Sequence, residues 1–430
     1  MKMKEEIQNR NLNIPYSENV NILKEPVSFS GKCAANRLAI QPMEGCDGTA
    51  EGAFSELTHR RYERFAKSGA GLLWAEATAI VKEGRANPRQ IMLTEETLDN
   101  FKREVEFIRE TAVRETGVNP ILIMQATHSG RHSKPNGVPE PIIACNKPIF
   151  EKGKPIDSSR IASDDYLKSL EEKYGKAAHL AEKAGFDGVD IKCCHGYLMN
   201  ELMSAFERKG AYGGSFENRT RLFFNAIEQA KSSTSTDFIV TSRMNAYDGF
   251  PYPYGFGVSK DGGTEPDLTE TLEVVKILKE KYGFSLLDIT IGNPYVNPHV
   301  NRPFNHGPYV SPEAPLIGVE RMMKCVKAVQ KANPDMVIIG SGFSYMGKEG
   351  ENVAAGAVEE GVCKIAGFGR QAFAYPDFAK DMLNGGMDEK KCCIACGKCS
   401  ELMRAGTVAG CVIRDSEMYM PYYKQYVMKK

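Results

Sequence analysis

The sequence has no surplus of charge of either sign: 55 Lys and Arg face 55 Asp and Glu across 430 residues. Nucleic-acid coats and electrostatic membrane binders need a basic excess, to release counterions or to meet anionic lipid, so this balance argues against both. Nor is there a near-continuous apolar run of the roughly 18–20 residues that a membrane span requires. The opening stretch, MKMKEEIQNRNLNIPYSENV, has basic residues but no apolar core behind them. It does not read as a secretory signal, and the expected location is cytoplasmic. Short repeats and low-complexity tracts are lacking, and no G-x-G-x-x-G follows a candidate strand, which weighs against a doubly wound dinucleotide fold.

What is present is an ordinary globular composition, 42% apolar and 26% charged, on a chain long enough for one large domain with an appendage. Apolar, β-branched runs bounded by Gly, Pro or Asn recur at 37–42, 71–77, 120–125, 188–193, 238–243, 285–291, 336–341 and 362–367. They are near-continuously apolar, as strands covered on both faces must be. Helical periodicity fills the gaps. The clearest case is 163–184, with Ser163 as N-cap, a stripe of Leu167, Leu170, Tyr174, Ala178 and Ala181, and Gly185 as the stop. This alternation predicts an α/β chain folded as a (β/α)8 TIM barrel over residues 1–385, followed by a short cysteine-rich segment over 386–430. In such a barrel the strand C-terminal ends line the functional mouth. Here they read Pro42-Met43, Glu76-Ala77-Thr78, Gln125 with His128, Lys192 to Tyr197, Arg243, Gly292-Asn293, Ser341-Gly342 and Gly367 to Arg370. A polar, planar, partly anionic ligand suits that rim.

The segments NRLAIQPM, AEAT followed by EGR, QATHSGR, AGFDGVDIKCCHGYLMNELMS, YGGSFENRTR and GVCKIAGFGR occur in this order from about Glu25 to Asp415. In them the chain resembles the Old Yellow Enzyme family of FMN-dependent oxidoreductases, and most closely its iron–sulfur branch, typified by 2,4-dienoyl-CoA reductase and trimethylamine dehydrogenase. The resemblance implies FMN as cofactor. Gln125 would bond the flavin pyrimidine edge, Pro42, Met43 and Ala77 would line the ring, and Arg243 would sit near N1 and C2=O. Gly342, Gly369 and Arg370 match the segments that hold the phosphate. Read from the residues alone, Arg243 also suits a structural salt bridge and the glycines suit turns. Glu217, Asn218, Arg219 and Arg221 read as structural.

In the family's ene-reductases two residues three apart bind the substrate's carbonyl oxygen, and a tyrosine two positions later protonates the neighbouring carbon. Those positions are Lys192, His195 and Tyr197. Donors aimed at the developing enolate lower the barrier, and a phenol with a reference pKa of about 10 keeps its proton at neutral pH. Lys192 replaces the usual histidine. Either the substrate carries an anionic group there, or Lys192 turns aside and His195 and Tyr197 act alone. His195 as a core histidine and Tyr197 as a packed aromatic are the plainer alternatives. His128 and His132 are candidates to line the pocket.

Five of the twelve cysteines fall between Cys392 and Cys411, and the scattered seven read as reduced, mostly buried small apolar residues. Cys393, Cys396, Cys399 and Cys411 give C-x2-C-x2-C-x11-C. Three thiolates within seven residues and a remote fourth suit a four-cysteine [4Fe–4S] cluster, whereas structural zinc usually takes two separated pairs. Cys392 leaves a register ambiguity that the x2 spacing resolves towards Cys393. Relatives in this branch continue into FAD and NADH domains. The expected electron source here is a separate ferredoxin-like or flavoprotein partner, with direct reduction by NADH as the alternative. The activity implied is reduction of an activated C=C bond in a small, anionic or neutral carbonyl compound. Amine dehydrogenation or demethylation, and a non-catalytic electron-relay subunit, are the other readings. A homo-oligomer is left open.

Overall fold

The computed structural model describes residues 3–429. Its chain begins the barrel with a plug. Val27–Phe29 (β1) and Lys32–Ala34 (β2) pair antiparallel across Ser30 and Gly31, both at positive φ, as a two-residue hairpin turn requires. Val27, Phe29 and Ala34 pack with Leu72, Trp74, Ile121, Ile123 and Ile339 from the strand interiors, so the hairpin closes the N-terminal end of the barrel. The strand windows identified above contain no trace of this hairpin, because its two strands are three residues each.

Leu38–Ile40 (β3), Leu72–Ala79 (β4), Ile121–Thr127 (β5), Gly188–Ile191 (β6), Ile239–Thr241 (β7), Arg243–Tyr247 (β8), Leu286–Ile291 (β9), Val337–Gly340 (β10) and Ile365–Phe368 (β11) form one parallel sheet in the order β7-β6-β5-β4-β3-β11-β10-β9-β8. Its two ends are consecutive pieces of chain separated by Ser242, so the sheet closes on itself and the fold is a (β/α)8 barrel. The fifth strand is interrupted rather than ending at 243. Ser242 turns its hydroxyl to the Ile191 carbonyl at 2.7 Å, and pairing resumes where Cys193 N–H donates to Arg243 O and Asn245 N–H to Cys193 O, both at 2.9 Å. Every residue of every barrel strand is buried, which is why the strands read as continuous apolar runs. The helix Asp164–Lys183 starts under Ser163, whose hydroxyl accepts from Tyr166 N–H, and ends before Gly185 at φ 92°. Phe216–Ser232 is also helical. Arg219 is buried there and donates to Met203 O, Gly214 O and Glu270, a structural role.

The cysteine-rich segment has its own small apolar cluster, Leu402, Val408, Val412, Tyr419 and Tyr423. It is held to the barrel by a two-pronged pair between Arg60 and Asp415, both contacts 2.8 Å, and by Ala409 N–H donating to Gly45 O at 2.7 Å. Arg60 lies on the helix Glu56–Ala66, and its neighbour Arg61 reaches the barrel rim. Arg61 is 3% exposed and clamps Asp47 through two contacts of 2.8 Å while also bonding Glu76, both carboxylates being fully buried. Glu76 Oε2 in turn accepts from Gly45 N–H at 2.8 Å. The rim loop after β3 is thereby tied to β4. Burial pushes the Glu76 carboxyl up to about 7, against the pull of Arg61. Removing the cation strands two carboxylates in a dry site, a loss of roughly 3–5 kcal/mol for a broken buried pair. Arg61→Met is therefore expected to lower urea-unfolding stability by about that amount; a change below about 1 kcal/mol, the value of an exposed pair, would show that the clamp carries little.

Candidate active site

Where the apolar barrel interior gives way to its C-terminal mouth, the strands deliver a layer of buried polar groups. Asp190 on β6 accepts from Trp74 Nε1 on β4 at 2.8 Å, Gln125 Nε2 on β5 at 2.6 Å and the backbone N–H of Arg243 on β8 at 2.7 Å. Asp288 on β9 accepts from Gln41 Nε2 at 2.8 Å, and its other oxygen lies 3.0 Å from Arg243 Nε without the alignment of a hydrogen bond. Burial pushes Asp190 up to about 6 and Asp288 up to about 7, the latter against the lowering pull of Arg243. Arg243 thus makes the structural salt bridge that its residue type allows, and it also faces the cleft above.

That cleft spans about 1020 Å³ of space, part of it open to solvent. It is lined by Pro42, Met43, Ala77, Gln125, Lys192, His195, Tyr197, Arg243, Gly342, Gly369 and Arg370, so all eleven residues singled out for cofactor or chemistry on the barrel come together. Gly342 has φ 104°, and a Cβ at Gly369 would press on Met43 Sδ at 2.9 Å, so the backbone beside Arg370 is bare by necessity.

The β6–helix turn shapes the middle of the cleft. His195 and Gly196 take left-handed backbone angles, φ 66° and 71°, and a Cβ on Gly196 would meet Asn293 Nδ2 at 2.1 Å. Only glycine fits there. The turn brings His195, Tyr197 and Lys192 to the cleft wall, where the buried Tyr197 ring also packs near Tyr295 and His132. Asn301 Nδ2 donates to Ile291 O at 2.7 Å, which fixes its amide, and the same nitrogen lies 3.1 Å from His195 Nε2. A donor facing Nε2 favours the ring proton on Nδ1, with Thr290 Oγ1, 3.2 Å from the same amide nitrogen, as the competing acceptor. Burial, with Arg243 and Lys192 nearby, holds this imidazole neutral well below its usual range. Lys192 is buried, with Nζ 3.8 Å from the centre of the Tyr197 ring. Burial depresses its ammonium, opposed by Cys194 and Glu44. The Tyr197 hydroxyl lies 3.1 Å from Glu44 Oε2 and 2.8 Å from Tyr295 OH, and burial raises its pKa well above that of a free phenol.

A second, smaller cavity of about 370 Å³ adjoins the first and is lined by Cys393, Cys396, Cys399 and Cys411. Cys392 is not part of its wall; its thiol turns to Asp388 O. Cys399 and Arg370 border both cavities. Among the described residues no three His, Cys, Asp or Glu side chains gather as ligands of one metal ion. Of the scattered cysteines, Cys46, Cys193, Cys194, Cys325 and Cys363 are buried, whereas Cys33 is exposed because it points outward from the plug hairpin.

Some rim residues lie elsewhere than the sequence places them. Glu76 faces Arg61 instead of the cleft. His128 bonds Tyr166 OH at 2.8 Å behind the wall, and His132 stacks on Tyr295 at 3.9 Å, one layer back. Conversely, Glu44, Tyr295 and Arg302 line the cleft and were not singled out. Glu44 was reachable, as the residue after Pro42-Met43. Tyr295 and Arg302 come from the long connection after β9, whose path no periodicity reveals.

Known proteins resemble the chain over this whole region. A cinnamate reductase of Clostridium sporogenes is 26% identical over 420 residues, covering 95% of this chain and 59% of that protein. A NADH:flavin oxidoreductase of Gibberella zeae is 28% identical over 290 residues, 62% of this chain and 66% of that one. A 2-naphthoyl-CoA reductase structure superposes with a TM-score of 0.75 at 19% identity, covering 92% of this chain and 57% of that one. Histamine dehydrogenase of Rhizobium sp. 4-9 does so at 0.67 and 19%, over 92% and 53%. The two structures share the barrel fold, and the chain spans between half and two thirds of the length of these four proteins. A sequence profile of the family matches residues 23–389, and the chain belongs to the NADH:flavin oxidoreductase / NADH oxidase family.

Proposed function

We propose that the chain is an FMN-dependent ene-reductase acting on a C=C bond conjugated to a carboxylate or carbonyl. The observation that carries this reading is the convergence, in one cleft, of a buried cation, a bare glycine backbone beside an arginine, and a histidine–tyrosine pair on one turn. These residues suit FMN. Arg243, its Nε without an aligned partner, would face the negative charge of the reduced pyrimidine ring together with Gln125. Gly342, Gly369 and Arg370 would hold the phosphate, and Pro42, Met43 and Ala77 would flank the ring. When bound, the flavin supplies a hydride for the carbon β to the carbonyl. The chain does the rest. His195 offers Nδ1–H to the carbonyl oxygen, where charge builds. Tyr197 holds the proton destined for the α carbon.

Lys192 lies beside Tyr197 within the wall, not turned away from it. Its charge, with Arg243 and Arg302 in the same cleft, favours a carboxylate and disfavours a cationic amine, which sets this reading above amine oxidation. The cinnamate reductase relative, an enoate reductase by its name, supports the same choice.

We further propose that Cys393, Cys396, Cys399 and Cys411 hold a [4Fe–4S] cluster that passes electrons between the cleft and a separate ferredoxin-like or flavoprotein carrier. Support comes from four thiols ringing one cavity that shares Cys399 with the cleft, and from the exclusion of Cys392.

Three measurements test these readings. Protein with FMN bound and reduced anaerobically should be reoxidised by enoates and enones, while methylated amines leave the oxidised form unreduced. Lys192→Met should slow enoates about tenfold more than neutral enones, the size of one charge-assisted hydrogen bond. Reduction by amines alone, or equal losses for both substrate types, would reject the respective reading. Anaerobically purified protein should contain about four iron and four acid-labile sulfide per chain, as a [4Fe–4S] centre demands, and lose them in the Cys399→Ala variant. Stoichiometric zinc without iron would reject the cluster.

A further inference from the structure

Beside the Tyr197 phenol lies a carboxylic acid for which the reaction just described has no use. Glu44 sits at the end of the β3 rim segment and lines the cleft. One of its oxygens meets the Tyr197 hydroxyl at 3.1 Å; the other, Oε1, is buried without a well-aligned partner, the Cys46 thiol being the carboxyl's other near donor. The segment is not free to drift, because the Arg61–Asp47–Glu76 clamp fixes it at Gly45 and Asp47. Such a carboxyl oxygen in a dry wall is costly if ionised and far less so if it carries a proton.

We propose that Glu44 is the proton reservoir for Tyr197, reloading the phenol after each delivery of its proton to substrate. The proposal rests on the ene-reductase reading and adds the residue that resets it. In the balanced sequence, the hydride that a bound, reduced flavin would supply becomes the Cβ–H bond, and the π pair moves to the α carbon. That pair takes the Tyr197 proton, forming Cα–H and breaking the tyrosine O–H. The protonated Glu44 carboxyl then gives its proton across the 3.1 Å contact, restoring the phenol, and the Glu44 carboxylate recovers a proton from water.

The competing donor in contact with Tyr197 is Tyr295, whose hydroxyl is 2.8 Å away. It is a second phenol that burial also pushes upward, so it offers a Tyr197 phenolate far less driving force than a carboxylic acid does. A carboxylic acid is more acidic than a phenol by about six units in reference peptides, which makes transfer from Glu44 to a Tyr197 phenolate downhill. Burial raises the Glu44 carboxyl from its ordinary range, which favours the loaded form between turnovers. Lys192, the Tyr197 hydroxyl, Arg61 and Cys46 act the other way. Glu44 works through Tyr197 and is a positioning residue for the proton, not a group that touches substrate.

The test uses the protein with its FMN, reduced methyl viologen as electron donor, and cinnamate or 2-cyclohexenone as acceptor. Glu44→Gln is expected to keep the first turnover and to lose about tenfold or more in the steady-state rate, within the usual range for a lost acid–base group. Glu44→Asp should recover part of that loss. Tyr197→Phe should lose the first turnover too, and adding Glu44→Gln to it should cost nothing further, since the reservoir has nothing left to reload. Multiplying losses, or an unchanged steady state in Glu44→Gln, would overturn the proposal. Should neither acceptor be reduced by the unaltered protein, the ene-reductase reading fails, and the relay is judged on the chain alone. With tyrosine labelled at Cζ, the Tyr197 resonance should titrate at lower pH in Glu44→Gln than in the unaltered chain, because Glu44 charge opposes phenolate formation. An unmoved titration would show that the two groups do not share a proton.

Discussion

Asp190 is the constraint on which the mouth of the barrel depends. A carboxylate at 0% exposure in the interior of a sheet survives only if donors surround it, and three strands supply them: the Trp74 indole, the Gln125 amide and the Arg243 backbone. Those bonds fix the faces that Gln125 and Arg243 turn upward, so the cleft floor is set by the satisfaction of a charge beneath it. Asp288 repeats the device one layer across, with Gln41 and the Arg243 guanidinium. Two acids and one arginine in a dry layer leave neither acid comfortably ionised, which is the physical content of their raised values. Arg243, its backbone pinned to one such acid and its guanidinium set beside the other, is rigid and incompletely neutralised, an arrangement suited to an anionic ring above it.

The same economy links the barrel to the cysteine-rich segment. Adjacent residues of one helix make the two attachments: Arg60 grips Asp415 of the segment, and Arg61 grips the rim that carries Pro42, Met43 and Glu44. Segment and rim are therefore positioned from a common support. Cys399 and Arg370 stand in the wall between the two cavities, so whatever occupies one is separated from the other by a few side chains.

Much of this architecture is legible in the sequence, for reasons that can be named. A parallel barrel buries both faces of its strands, so its eight runs stand out as apolar blocks, and their observed ends fall within a few residues of the windows read from composition. The helix at 163–184 was readable because a serine cap and an apolar stripe mark it. The convergence of Gln125, Lys192, His195, Tyr197, Arg243 and Arg370 follows from the rule that strand ends share one rim. What stayed hidden depends on tertiary encounters. The polar layer of Asp190 and Asp288 looks in sequence like two acids misplaced in apolar strands, and its meaning appears only when Trp74 and Arg243 are brought beside them. Tyr295 and Arg302 hang from a long connection without a period to read. Ser242 breaks the fifth strand because its hydroxyl bonds across to Ile191, which no local propensity reports.

The central claim is that the cleft above Asp190 and Arg243 is built for a flavin mononucleotide. Its most direct measurement is a fluorescence titration of the chain, stripped of cofactor, with FMN. The account predicts quenching that saturates near one equivalent and is weakened severely in Arg243→Met and Arg370→Met. Emission that stays at the level of free FMN throughout the titration would contradict it.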